Sequence, residues 1–244
     1  MHAMKHAFLF LVMAIGAPLL QFPCQAQEAK AALQNRYYVG LQTFMGSYEM
    51  FYRTTPRLLG IKPWQVVAGA HLTRRWAVQV GYTTSNRSSI EDPSYTGTTL
   101  SGQYVSGRRG SDSREQAAVL LMRYSLIRRP HPRLQVDVLA GLTLVSSRFS
   151  VYGADFVDGQ TVREYYSGDH ATQFYATAGL GARYPFGKHF EGVFDYTLSR
   201  NLKSVPAGLH QQVSGSSLGL TRAFGLGLRY RFALHKKEVT PASL

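Results

Sequence analysis

The chain has a single cysteine, few acids and no long apolar run beyond its first 20 residues. One cysteine excludes a disulfide scaffold and a thiolate metal cluster. Asp and Glu number 14 against 27 Lys and Arg, for a formal charge of +13 over 244 residues. Charged residues are nevertheless only 17 %, alongside 15 Tyr and 13 Phe, which excludes a disordered basic tail. After Leu20 no stretch approaches the roughly 18 apolar residues of a membrane-crossing helix. No nucleic-acid motif accompanies the basic charge, so nucleic acid is not an expected partner. No His, Cys and carboxylate spacing suggests a metal. Gly179-Leu-Gly181 and Gly225-Leu-Gly227 are followed by no helical pattern, so they are strand glycines rather than phosphate loops. No cofactor is expected.

What is present begins with an address. Lys5 stands in a short basic start, and Ala7–Leu20 is an apolar run too short to span a bilayer. Residues 1–26 therefore read as a signal peptide, with a cut near Ala26 that removes Cys24 and lowers the charge to +12. A lipid anchor on Cys24 would want an aliphatic residue three positions earlier, where Gln21 stands.

From Tyr37 to Phe232 the dominant period is two. In the last segment Leu218, Leu220, Phe224, Leu226, Leu228, Tyr230 and Phe232 share one face, and Gly219, Thr221, Gly225, Gly227, Arg229 and Arg231 share the other. This is a half-buried strand long enough to cross a membrane when tilted. Seven more segments alternate in the same way: Tyr37–Tyr52, Trp64–Leu72, Trp76–Thr84, Gln116–Leu126, Leu134–Ser147, Thr172–Phe186 and Phe190–Ser199. The first changes phase near Thr43–Phe44, which predicts a bulge. Connections alternate strictly between long (Arg53–Pro63, Ser85–Arg114, Val151–Asp169, Arg200–Ser216) and tight (Thr73–Arg75, Ile127–Pro132, Gly187–His189). An even strand count with long loops at one end predicts an all-β fold: an eight-stranded antiparallel transmembrane β-barrel, an up-and-down meander.

Volume decides which face points outward. Eight strands enclose little more than their own side chains. Roughly five large apolar residues per strand, about forty in all, far exceed the twelve or so that fill an eight-stranded interior. They must face lipid. The glycine-bearing face is then enclosed, and strand-end aromatics such as Trp76, Tyr124, Phe190 and Tyr230 are expected in interfacial girdles. Enclosed with the glycines are Arg123, Asp137, Arg183, Glu191, Asp195, Arg229 and Arg231, with His71 nearby. Mixed signs can compensate one another, so these seven predict an ionic network plugging the inner lumen. Arg53, Arg57, Lys62, Arg200, Lys203 and Arg222 are placed at the outer rim, as candidate contacts to lipopolysaccharide phosphates. The candidate catalytic groups are Asp169–His170 and His210 with Ser214. Adjacent side chains diverge on a strand, and none is assigned a catalytic role.

Signal peptide, eight amphipathic strands and a last strand ending Arg229-Tyr230-Arg231-Phe232 together resemble the small Gram-negative outer-membrane β-barrel proteins, the OmpA, OmpX and OmpW-like group. The resemblance implies residence in the cell outer membrane, contact with its lipid and lipopolysaccharide, and insertion by the outer-membrane assembly machinery. The expected layout is a signal peptide at 1–26, a periplasmic segment at 27–36, the barrel at 37–232 and a polar periplasmic tail at 233–244. That tail departs from the group's pattern of ending in an aromatic. The expected role is non-enzymatic, structural or in surface interaction through the outer loops. Transport of a small apolar solute, lipid A modification and a soluble secreted barrel are the alternatives. An extracellular partner is not named by the sequence.

Overall fold

A computed structural model describes residues 36–53, 55–62, 64–127 and 134–233. The signal peptide, its cleavage site, Cys24 and the tail beyond Ala233 lie outside the described residues. The strands are β1 (Tyr37–Phe51), β2 (Pro56–Ile61), β3 (Trp64–His71), β4 (Trp76–Thr98), β5 (Tyr104–Ser125), β6 (Gln135–Val157), β7 (Gln160–Phe186), β8 (Phe190–Asn201) and β9 (Leu220–Phe232), with one short helix, α1 (Ala207–Ser214), before β9. All pairings are antiparallel between neighbours. The sheet closes where β1 meets β9, from Tyr37 opposite Phe232 to Gly46 opposite Ala223. Eight wall strands result, because β2 and β3 are two parts of one. Gly46 faces Ile61 on β2 and Thr43 faces Trp64 on β3, in unbroken register.

The enclosed face is the one the alternation predicts. On β8, Glu191, Val193, Asp195, Thr197 and Ser199 are buried, while Phe194, Tyr196 and Leu198 between them are exposed. Val66, Leu142, Leu180 and Leu226 are each at least half exposed. A continuous apolar exterior of this kind is unsuited to water and suited to acyl chains. Among the described residues no helix is long and apolar enough to cross a membrane.

Three expectations are corrected. β1 has no bulge near Thr43–Phe44, and its pairing with β9 runs through that point without a shift. Its inner face turns apolar at Phe44, Tyr48 and Met50 because this part of β1 fills the lumen. Arg53–Pro63 is not wholly a loop, since β2 occupies most of it. Ser85–Arg114 and Val151–Asp169 are not loops but the outer halves of strands of 22 to 27 residues. A tilted strand crosses with about 9 to 11. The surplus forms a four-stranded platform that continues the wall outward, ~45 Å measured along the strands at ~3.3 Å per residue. β3 leaves β4 after Gln65–Thr83, and β8 leaves β7 after Tyr175–Asn201.

The platform holds as sheet despite its glycines because tyrosines lie over them. Tyr95 sits opposite Gly107, Tyr152 opposite Gly110 and Tyr165 opposite Gly153, each ring occupying the space a Cβ would take. A ring laid across a glycine restores the packing its missing side chain forfeits. Tyr95 also donates to Asp155 Oδ1 at 2.8 Å, and that bond to the carboxylate raises the phenol pKa above its usual value. The β6–β7 turn is Asp158-Gly159, with φ of 50° and 81°, the sign both central residues of a tight hairpin require.

Candidate functional site

The wall encloses a polar lumen, and it is filled in layers. At the tight-turn end, Arg123 is gripped by two carboxylates. Its Nε and Nη2 donate to Asp137 Oδ2 at 3.1 and 3.0 Å, and its Nη1 and Nη2 donate to Asp195 Oδ2 and Oδ1 at 2.9 Å each. Arg183 takes the far side of Asp137, with Nε to Oδ2 at 2.5 Å and Nη2 to Oδ1 at 2.7 Å. Ser125 adds a hydroxyl bond to the same carboxylate at 3.0 Å. Arg229 Nη2 donates to Gln79 Oε1 at 2.7 Å and reaches Asp195 at 3.3 Å, while its guanidinium lies over the Tyr38 ring. Glu191 is held more loosely, 3.9 Å from both Arg229 and Arg231. Arg123, Arg183 and Arg229 are thus balanced by Asp137, Asp195 and Glu191, all nearly inaccessible. Arg231, about a quarter exposed, lies at the edge.

Room for this network comes from glycine. A Cβ on Gly181 would stand 2.6 Å from Arg123 Nη2 and 2.7 Å from Asp195 Oδ1. Above it lies a thin polar layer. Gln42 donates to Gln65 at 2.5 Å, and Thr143, Thr177 and Ser199 form a hydroxyl chain at 2.8 and 3.0 Å. A cavity of about 20 Å³ remains here, enough for one water.

The outer half is filled by the β1–β2 hairpin. Tyr48, Met50, Leu59 and Ile61 pack against Ala117, Val145, Ala171 and Tyr175 of the opposite wall. Wall side chains tie down its backbone. Tyr175 and Asn201 both donate to the Glu49 carbonyl, and Gln173 donates to the Phe51 carbonyl at 3.2 Å. Tyr52 donates to Ser147 Oγ at 2.7 Å. Helix α1 then lies over the hairpin, bringing His210 Nδ1 to 2.6 Å from Glu49 Oε2, with the imidazole edge-on to Phe51. Gly219 is required beside this pair. Its φ is 61°, and a Cβ would stand 2.5 Å from His210 Nδ1.

The structure brings all seven predicted lumen residues together. The six rim residues divide. Lys62, Arg200 and Arg222 are exposed on the outward face, and Arg53 is exposed at the hairpin turn. Arg57 instead turns to the inner side, its guanidinium 4.1 Å above the Phe149 ring, and Lys203 lies 5.9 Å from the Phe51 ring over the mouth. Both belong to the lumen cap rather than the lipid-facing rim. Asp169 and His170 sit on opposite faces of β7, as divergence on a strand requires. Ser214 donates to the His210 carbonyl at 3.0 Å, an intrahelical bond, and makes no hydrogen bond to the His210 ring. Glu49, Tyr175, Asn201, Gln79 and Ser125 were not anticipated. Gln79 falls on the enclosed face of the alternating Trp76–Thr84 segment, and only the demand that Arg123 and Arg229 be satisfied singles it out.

Residues 15–232 match the sequence model of the outer membrane protein beta-barrel domain. The chain belongs to that family. The outer membrane protein beta-barrel domain accounts for the whole described wall and places the protein in the cell outer membrane. Solved structures similar to it include Ail, the attachment invasion locus protein of Yersinia pestis (13 % identity, 81 % of this chain and 99 % of that one, TM-score 0.42). OprG from Pseudomonas aeruginosa is similar at 11 % identity, over 82 % and 98 % of the two chains, with a TM-score of 0.41. The outer membrane protease OmpT from Escherichia coli is similar at 10 % identity, over 82 % and 98 %, with a TM-score of 0.39. Among curated protein sequences none matches this barrel.

Proposed function

We propose that this barrel is a closed, non-enzymatic wall element of the outer membrane that holds a β-platform outside the bilayer for surface interaction. The observation that carries the reading is the filled lumen. An ionic layer and an apolar hairpin lie in series, and the space between them is about 20 Å³. A solute moving along the axis would have to displace both. The platform supplies what the lumen does not, namely accessible surface. At its base an open cleft of about 440 Å³ is bounded by Arg57, Phe149, Ser89, Ser111 and Tyr165, the mix of ring faces, hydroxyls and cationic groups common in recognition sites.

Planar-bilayer recording of the refolded barrel, wild type and Arg183→Leu, tests the reading. Both are expected to leave the bilayer electrically silent, with the variant less stable to urea. Sustained single-channel steps from the wild-type protein would overturn it.

A further inference from the structure

One buried acid and base lie far from the ionic layer and tie a surface helix to the hairpin that fills the mouth. Helix α1 packs on β1 and β2, and His210 is both its one titratable side chain and its one buried residue. Glu49 of β1 is wholly buried, and its Oε2 is the atom that His210 Nδ1 meets at 2.6 Å. Its Oε1 is buried with no hydrogen-bond partner among the described residues. Nothing nearby can take over from the imidazole. On β2, Leu58 stands opposite Glu49, while Arg57, Glu115 and Asp169 lie around Tyr52 on the other side of the hairpin. β7 and β8 present Tyr175 and Asn201, both directed to the Glu49 carbonyl. The inner face of β9 carries no charge outward of Arg229. Lys203 lies 5.9 Å from the Phe51 ring and forms no ion pair with Glu49. The helix brings little stability of its own. It spans eight residues, Pro206 gives it no side-chain cap, and no acid in its first turn or base in its last favours its dipole. A helix this short holds its shape by tertiary contact.

We propose that His210 and Glu49 form a proton-operated latch that holds α1 over the hairpin and releases it in acid. While the carboxylate is ionised, Nδ1–H donates to it in a buried, charge-assisted bond. Imidazole that has lost its charge above neutrality still donates that hydrogen, so the latch stays shut there. In acid the imidazole is charged and the carboxylate takes a proton, which turns the pair into a lone buried cation. That cation regains water only by leaving, and α1 leaves with it because no other residue of the helix is buried. The released form binds more protons than the docked form, so docking weakens as pH falls. The window is the one in which free imidazole and carboxylate groups protonate, from about pH 7 to about pH 4. Release stops at the helix. The hairpin is held through the main-chain carbonyls of Glu49 and Phe51, which do not titrate. Acid therefore bares the outer side of the hairpin and leaves the bore filled. The latch is independent of whether the lumen conducts, since it lies over the filling and not within it.

The test uses the full barrel in neutral detergent, its fold verified at each pH by heat-modifiable gel mobility. A nitroxide is attached through Gln212→Cys, an exposed position on α1, with Cys24→Ser to leave one thiol. A second label at Ser101→Cys, on the platform tip, reports any change not confined to α1. The α1 label is expected to be motionally restricted at neutral pH, to become mobile in one reversible step on acidification, and to tighten again on return, while the platform label stays unchanged. Glu49→Gln removes the counter-charge but keeps an acceptor for Nδ1–H, so release should move to higher pH by about one unit or more. His210→Asn keeps a donor that does not titrate, and the step should disappear. His210→Asn lies on the surface helix and serves alone if the buried Glu49→Gln variant fails to fold. An α1 label indifferent to pH in the wild type would overturn the proposal. So would a step that survives unchanged in His210→Asn, or one that the platform label shares, which would mark general acid loosening of the outer structure.

Discussion

The inner half of the lumen is filled by side chains that the wall itself contributes, whereas the outer half is filled by a hairpin that leaves the wall and crosses the opening. The first solution asks for paired charges of both signs on facing strands and glycines to make room. The second asks for a strand whose enclosed face turns apolar and whose carbonyls find donors across the barrel. The difference shows in what each half can lose. A buried ion pair deprived of one partner leaves an uncompensated charge, while an apolar filling deprived of a contact leaves only a gap or one unmet bond.

Asp137 is the sharpest place to break this comparison, since Arg123, Arg183 and Ser125 all converge on it. Asp137→Leu is expected to cost about 3–5 kcal/mol, read as a fall in the urea midpoint of the folded barrel. Gly219→Ala acts on the outer half. It places a side chain at positive φ against His210 and Glu49, and a loss of about 1–3 kcal/mol is expected, with faster proteolysis in the segment around α1. Tyr175→Phe removes one donor from the Glu49 carbonyl but leaves Asn201 on it, so about 1 kcal/mol should go, by the same urea measurement. Tyr165→Ala uncovers Gly153 in the platform. It should cost under about 1 kcal/mol, visible as faster hydrogen exchange in β6 and β7 beyond Arg148 with an unchanged urea midpoint for the wall. Should Gly219→Ala prove as damaging as Asp137→Leu, the contrast between the two halves would fail.

The wall was legible because its period is two and its outward face is monotonously apolar. The charges of the inner lumen were legible for the same reason, since Arg123, Asp137, Arg183 and Asp195 fall on the face that alternation encloses. Two things were not. The platform strands are rich in Gly, Ser, Asn and Asp, residues that favour turns, and their stability comes from tyrosines placed opposite glycines on neighbouring strands, which only the register discloses. The hairpin was hidden differently. From Phe44 the enclosed face is as apolar as the outward one, with Phe44, Tyr48 and Met50 inside, so the contrast between faces fades and imitates a bulge.

β1 has two duties at once. Its first ten residues form the seam with β9, and its last five reach across to residues of β7 and β8. The strand that shuts the cylinder is therefore continuous with the piece that stoppers it. Sealing the circumference and occluding the bore are thus assigned to one uninterrupted run of backbone.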